Sequence, residues 1–306
     1  MDLTTRVKEL AFENHLDYVG FASAGLLENE PEGIRPSDFL PGAQTVISLG
    51  VKLSNGAALV NQLAHNYGFP RHLIYPYLWH GFGLPSLHYV DRTSLLIVRM
   101  LEKEGNLAVP IMAASTFDIR SSLTEFSNIH AAVAAGLGEL GYGNLVLTPD
   151  AGPRARFGSI ITTAKLELSA PYSGPKLCNP DACKTADSDV PACARVCPTG
   201  AMGPETEKVC IGEQCYEPVK VHRWKCMWGS MALTERSLGL KEISMPEEVD
   251  AAAIVAAMAE RDPAQVTELM VIGRGDYCGK CVMECPVGRS EKVDQVLLHT
   301  TKRKEG

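Results

Sequence analysis

The sequence predicts an α+β protein in two parts. Residues 1–170 read as a mixed helix–strand domain and 171–291 as a metal-carrying domain, with a tail at 292–306. Three observations predict this. All ten cysteines lie between Cys178 and Cys285, so the first 177 residues have none. The hydrophobic pattern of the cysteine-free part alternates between helical spacing and short, nearly continuous apolar runs. The chain of 306 residues is 45% apolar with a formal charge of −7, the composition of a globular chain with material for a large core. The acidic balance argues against nucleic acid as a partner, because phosphate binding is driven by Lys and Arg. No apolar run approaches the ~18 residues of a spanning helix. The N-terminal residues lack the basic–apolar–small order of a secretory signal and any twin-Arg pair. The expectation is a cytoplasmic chain without membrane contact. The basic tail, Thr301-Lys302-Arg303-Lys304, reads as a solvated terminus.

The elements follow from spacing. Leu3, Val7, Leu10 and Ala11 share one face of a helix over 3–16, with Asp2 as its cap. Residues 18–22 and 45–53 read as strands, and the second is apolar enough to be buried on both faces. Pro41-Gly42 marks the turn before it. A helix is expected over 84–104, closed by Gly105-Asn106, then a strand over 108–113. Ser127 caps an Ala-rich helix over 127–140, and strands follow at 144–147 and 158–162. In the second domain, Pro246-Glu247-Glu248 opens a helix to about Ala259, with proline early and acids in the first turn. It belongs to a helical insertion at 227–277.

The cysteine spacing carries the chemistry. Cys193-x3-Cys197-Pro198 and Cys278-x2-Cys281-x3-Cys285-Pro286 match two halves of a bacterial ferredoxin signature. In that signature three thiolates hold one [4Fe–4S] cluster and the cysteine before proline reaches the other. The first half is loosened to Cys178-x4-Cys183-x9-Cys193, with Lys184–Ala192 as a polar inserted loop. The second half lacks an upstream ligand, and Cys226 is the nearest candidate. Crossing the fourth ligands places one cluster on Cys178, Cys183, Cys193 and Cys285, and the other on Cys226, Cys278, Cys281 and Cys197. Zinc, which also uses C-x2-C pairs, is the alternative. Cys210 and Cys215 are left over, and free thiols in a surface loop are expected there.

Gly136-Leu137-Gly138-Glu139-Leu140-Gly141 satisfies G-x-G-x-x-G, but a dinucleotide site needs a strand before it and a helix after it. The pattern here is the reverse, so no nicotinamide cofactor is expected. The glycines suit a tight turn or a close backbone approach.

The residues around that block resemble a known group. The run Phe126 to Ala135, the glycine block, Asn144-Leu145-Val146-Leu147-Thr148-Pro149 and Gly152-Pro153-Arg154-Ala155-Arg156-Phe157-Gly158 look like the corrinoid-binding core shared by epoxyqueuosine reductases and reductive dehalogenases. Leu40-Pro41-Gly42-Ala43 with Val46 to Gly50 is similar to the start of that core, and the double ferredoxin pattern completes the likeness. The resemblance implies a nitroreductase-like corrinoid-binding core with a C-terminal ferredoxin-like domain holding two [4Fe–4S] clusters. It implies base-off cobalamin, surrounded by Gly136, Leu137, Gly138, Asn144, Leu145, Thr148, Arg154 and Arg156. The GLGELG form stands nearer to the dehalogenases. Ser122 stands where the epoxyqueuosine enzymes carry their proton-donating Asp. The chain also lacks their helical-repeat extension and the leader of respiratory dehalogenases, which implies a short cytoplasmic relative.

The implied activity is reductive cleavage, dehalogenation or deoxygenation in type, by Co(I) cobalamin reduced through the two clusters. The implied partners are a small-molecule substrate and a low-potential donor such as ferredoxin or flavodoxin, under anaerobic conditions; an oligomer is compatible. Such cleavage consumes a proton. The stretch from His65 to Tyr89 gathers His65, Tyr67, His72, Tyr75, Tyr77, Trp79, His80, His88 and Tyr89. It reads either as an aromatic lid or as a pocket wall carrying the donor. Tyr75, His88 and His130 are the candidate donors, with Asp118 behind them. The competing readings are an electron-transfer or corrinoid-handling protein serving another cobalamin enzyme, and an iron–sulfur protein with no corrinoid or with flavin instead.

Overall fold

The computed structural model describes residues 1–67, 75–113, 126–231, 233, 243–261 and 278–304. Helix α1 (Leu3–Glu13) begins where the Asp2 carboxylate accepts from the Thr5 amide at 2.9 Å. It stops short of the expected Leu16 because His15 takes a left-handed φ of 64°, which turns the chain into strand β1 (Tyr18–Ser23). Strand β2 (Thr45–Lys52) is buried at seven of its eight residues. It is a central strand, antiparallel to β1 on one side and to β6 (Ala155–Thr162) on the other; β3 (Ala108–Ile111) closes the sheet in the order β1-β2-β6-β3.

The two faces of β2 bury different layers. Ile47, Leu49 and Val51 point into a core with Val7 and Ala11 of α1. Ile97, Val98 and Leu101 of helix α3 (Arg92–Lys103) complete that core. Val46 points to the opposite side, against Ala131–Ala134 of helix α4 (Asn128–Ala134) and its C-cap Ala135. This is the period-two consequence of a strand covered on both faces. A Cβ on Gly20 of β1 would stand 2.5 Å from the Ala135 carbonyl oxygen, so glycine lets the end of α4 lie against the sheet.

Helix α2 (Asn55–Tyr67) precedes the described stretch 75–91. The helix expected over 84–104 is regular only from Arg92. Upstream, Leu78–Asp91 winds as a wide π-type helix containing Pro85, which has no N–H for a regular ladder. Helix α4 likewise ends at Ala134 and not at 140: Gly136 has φ 75°, and the Gly136 and Leu137 amides bond back to Val133 and Ala132. The chain then forms a two-stranded ribbon, β4 (Glu139–Leu140) with β5 (Val146–Leu147).

The cysteine-rich part is built from short elements. They are α5 (Ala192–Arg195), β7 (Met202–Thr206) paired with β10 (Val219–Val221), and the hairpin of β8 (Val209–Ile211) and β9 (Gln214–Tyr216). Helices α6 (Arg223–Ser230), α7 (Ala251–Ala259), α8 (Lys280–Glu284) and α9 (Glu291–Lys304) follow. Helix α7 starts at an Asp250 cap, later than the expected Pro246. It packs with α6 in a separate apolar cluster around Trp228 and Ile254. One expectation is overturned: Cys210 and Cys215 are not free thiols but are joined in a disulfide. They are directly opposed in the β8–β9 hairpin, a pairing that their spacing alone does not reveal.

Candidate functional site

Four thiols from distant segments meet around one cavity. Cys178 leads into the turn at Asp181–Cys183, Cys193 lies in α5, and Cys285 caps α8. Together with Cys281 these four line a small cavity whose walls include Leu145, Leu147, Pro153 and Val287. Burial pushes the Cys193 thiol up to about 11, and the negative charges of Cys285, Cys178 and Cys183 add to the rise. Cys178 and Cys285 are also raised, again mainly by burial. The Tyr142 amide donates to Cys178 Sγ at 3.2 Å. Among the described residues no three His, Cys, Asp or Glu side chains are grouped as a single ion requires. Four soft thiols set around an apolar space, with an amide aimed at sulfur, fit the ligand chemistry of an iron–sulfur cube.

The second set is placed by α6 and α8. Gly229, one turn beyond Cys226, faces the Cys197-Pro198 corner: a Cβ there would stand 3.7 Å from the Pro198 ring and 3.9 Å from Cys278 Sγ. Cys281 packs with Leu53, Tyr77 and Leu145. Gly279, between Cys278 and Cys281, holds φ 57° and abuts the Tyr77 hydroxyl, so a side chain would clash there.

The Val282–Val287 segment is fastened to the start of β6 by Arg154, only 4% exposed. Its guanidinium donates to the carbonyl oxygens of Val282 at 3.1 Å and Cys285 at 2.8 Å, and to that of Val287. Burial lowers the Arg154 pKa from its ordinary value, and Cys285 opposes that shift.

Beside the thiols lies a second cavity of ≈ 230 Å³, lined by Phe126, Ser127, Asn128, Leu145, Arg156 and Phe157 among others. Leu145 and Pro153 line both cavities, so the wall between them is a single layer of side chains. Arg156 is held by donating from Nε to the Gly81 carbonyl at 3.0 Å and from Nη2 to the Tyr77 hydroxyl at 3.1 Å. Asn128 Nδ2 donates to the Met112 carbonyl at 2.8 Å, while its buried Oδ1 has no partner among the described residues.

Of the residues implied for a corrinoid, Leu145 and Arg156 line this cavity. Gly136 and Gly138 instead abut the backbone of Ala170 and Leu147. Leu137 packs in the core beside α4. Asn144 takes a left-handed φ of 56° in the ribbon turn. Thr148 is fully buried, its hydroxyl shared with Tyr18, Gly152 and Ala151. Arg154 serves the domain junction. Among the candidate donors, the His130 ring bonds Glu30 at 2.5 Å and is not among the cavity-lining residues. His88 is exposed beside Trp79. Tyr75 opens a short helix at Tyr75–Tyr77, but its side chain, like those of His65 and Tyr67, lies outside the described residues, as do His72, Asp118 and Ser122. Two contributors escaped the sequence reading, Glu139 and Asn128; Tyr77 was named in the aromatic stretch His65 to Tyr89, but not as the partner of Arg156. Glu139, buried within the glycine block, accepts from the Cys178 amide; a carboxylate inside an apolar glycine turn was the available signal.

No protein-family model and no curated protein sequence matches the chain. Solved structures do. The epoxyqueuosine reductase from Streptococcus thermophilus aligns with 95% of this chain and 67% of its own length, at 16% identity and TM-score 0.51. The Bacillus subtilis epoxyqueuosine reductase covers 94% of this chain and 66% of its own, at 15% identity and TM-score 0.51. The catabolic reductive dehalogenase NpRdhA, in complex with 3-bromo-4-hydroxybenzoic acid, covers 92% of this chain and 38% of its own, at 15% identity and TM-score 0.54. At such identities the likeness is one of fold. The chain spans about two thirds of the length of these reductases and under two fifths of that dehalogenase. Among the described residues no helix is long and apolar enough to cross a membrane.

Proposed function

We propose that this chain is an iron–sulfur oxidoreductase that binds a base-off corrinoid and reductively cleaves a bond in a small-molecule substrate, dehalogenation or deoxygenation in type. Two [4Fe–4S] clusters would sit on Cys178, Cys183, Cys193 and Cys285, and on Cys197, Cys226, Cys278 and Cys281, in a ferredoxin-like domain. A low-potential donor such as ferredoxin or flavodoxin would supply electrons. The observation that carries the reading is adjacency: one layer, Leu145 and Pro153, separates the four-thiol cavity from the second cavity. The shared fold with proteins named epoxyqueuosine reductase and reductive dehalogenase supports it.

When bound, the clusters supply single electrons and the corrinoid supplies a strongly reducing cobalt centre. The chain's own residues do the rest. Arg154 fixes the Cys285 loop against the first domain, which sets the distance between the two cavities. Arg156, oriented by Tyr77 and Gly81, presents a fixed cation to the cavity, and Asn128 Oδ1 offers an acceptor without a partner among the described residues. Phe126 and Phe157 exclude water. A corrinoid edge, rich in amide donors, suits that acceptor, while only Leu145 and Arg156 of the eight residues the resemblance implies line this ≈ 230 Å³ cavity, which has room for part of such a group.

Anaerobically purified protein should contain about eight irons and matching sulfide per chain, with cobalt and a cobalamin spectrum after reconstitution. Iron without cobalt uptake would remove the corrinoid from the reading. A second reading, a corrinoid-handling or electron-transfer protein, is favoured by one observation: neither His88 nor His130 lines the cavity. Turnover with halogenated and epoxide substrates separates the two.

A further inference from the structure

We propose that the Cys210–Cys215 disulfide is a redox-active site that accepts electrons from the first thiol-held cluster and passes them to external disulfides. The proposal rests on the iron–sulfur reading above for its electron source. Three observations support it. Both cysteines are exposed at the surface. Cys215 lines a cavity of ≈ 560 Å³ that Cys178 of the first thiol set also lines, with Glu139, Tyr142, Lys176 and Lys208 in its wall. Finally, the bond does little as a staple. It joins residues five apart that the β8–β9 pairing already holds opposite each other, and a loop that short yields little chain-entropy gain. Oxygen-labile clusters belong in a reducing milieu, where disulfides are chiefly catalytic or redox-sensing.

The chemistry balances as follows. Two electrons, passed one at a time through the first cluster as the donor recharges it, and two protons from water would break the S–S bond and leave two thiols. A one-electron donor of the ferredoxin or flavodoxin class recharges the clusters. Lys176 and Lys208 favour thiolate at the reduced pair. One thiolate attacks an external disulfide, and a mixed disulfide forms. The second thiol resolves it, releasing the partner as two thiols and restoring Cys210–Cys215.

The test uses reconstituted holoprotein, photoreduced deazaflavin as a one-electron donor, acid quench, alkylation and peptide mass spectrometry. The peptide bearing Cys210 and Cys215 should be unalkylated before reduction and doubly alkylated after it. Oxidised glutathione should then return it to the disulfide. Iron-depleted wild-type protein and Cys178→Ser should reduce the bond at least about tenfold more slowly, since a one-electron donor alone is a poor reductant of disulfides. An intact bond in holoprotein whose clusters are reduced by electron paramagnetic resonance would overturn the proposal. So would equal reduction in the iron-depleted protein, alkylation of both cysteines before reduction, or no return with glutathione. Absence of iron and sulfide would show instead that the underlying cluster reading had failed, and the proposal would fall with it.

Discussion

Replacing Arg154 with methionine keeps roughly the side-chain volume but removes the cation that ties the start of β6 to the Cys285 loop. The guanidinium makes three bonds to the carbonyls of Val282, Cys285 and Val287. Bonds from a charged donor contribute about 1.5–3 kcal/mol each, so the gross loss is roughly 4.5–9 kcal/mol. Part is offset, because methionine no longer carries the several kcal/mol that burying a charge costs. The net loss should be about 3–5 kcal/mol, since three buried carbonyl oxygens lose their donor at about 1–3 kcal/mol each before that offset. With an unfolding entropy of about 2.1 cal/mol/K per residue, a kilocalorie moves the midpoint of a 306-residue chain by about 1.6 °C, so a drop of about 5 °C or more is expected. The loss should be local as well as global. Cys285 sits in the released loop, so the Arg154→Met protein should lose iron faster to a chelator than wild type, followed by absorbance near the sulfur-to-iron charge-transfer bands. Arg154→Lys keeps the charge but not the fork of donors and should recover only part of both effects. An Arg154→Met protein with an unchanged midpoint and unchanged iron release would refute the reasoning.

Other substitutions probe the thiol sets and the donors. Cys285→Ser should damage the cluster held mainly by the first motif, and Cys197→Ser the one held by the second; full iron content in both variants would disprove the crossed scheme. Metal-free protein should lose stability as pH rises. Its buried Cys193 ionises only near about 11, whereas an unfolded thiol does so near its ordinary value of ~8.5. Between those values the unfolded chain has already released the proton that the folded chain keeps, so stability falls through that window and is unaffected below it. Denaturant midpoints at about pH 8 and about pH 10.5 check this; cluster-loaded protein, its thiolates ligated, should not show the Cys193 effect. His130→Asn should reduce stability by roughly 1 kcal/mol through loss of the Glu30 bond and leave turnover unchanged, whereas a large fall in kcat at unchanged KM would restore His130 as the proton donor.

The parts legible in the sequence were those governed by local periodicity and by short-range covalent spacing. Strand β2 announces itself because a strand covered on both faces must be apolar at nearly every residue. The Asp2 and Ser127 caps are visible because an oxygen side chain before an apolar helical stripe has one common use. That Cys285 lies with Cys178, Cys183, Cys193 and Cys281 around one cavity follows a different kind of signal: in the ferredoxin pattern the cysteine before proline is directed across to its opposite number, so the motif encodes a long-range contact within a short string. What stayed hidden depends on contacts between segments distant in sequence. Arg154 and Arg156 are two residues apart, one just before β6 and one within it, and look interchangeable in the sequence. Yet one is fastened beneath Cys285 and the other faces a cavity, since flanking residues of a strand meet whatever the tertiary fold brings to them. The Cys210–Cys215 bond was hidden because a hairpin of two three-residue strands has too little pattern to declare its register. The wide turn at Leu78–Asp91 was hidden because its apolar spacing imitates a regular helix, and only the missing amide of Pro85 argues otherwise. Each miss follows the same physical division: spacing fixes which residues share a face of one element, but not which partner that face will meet.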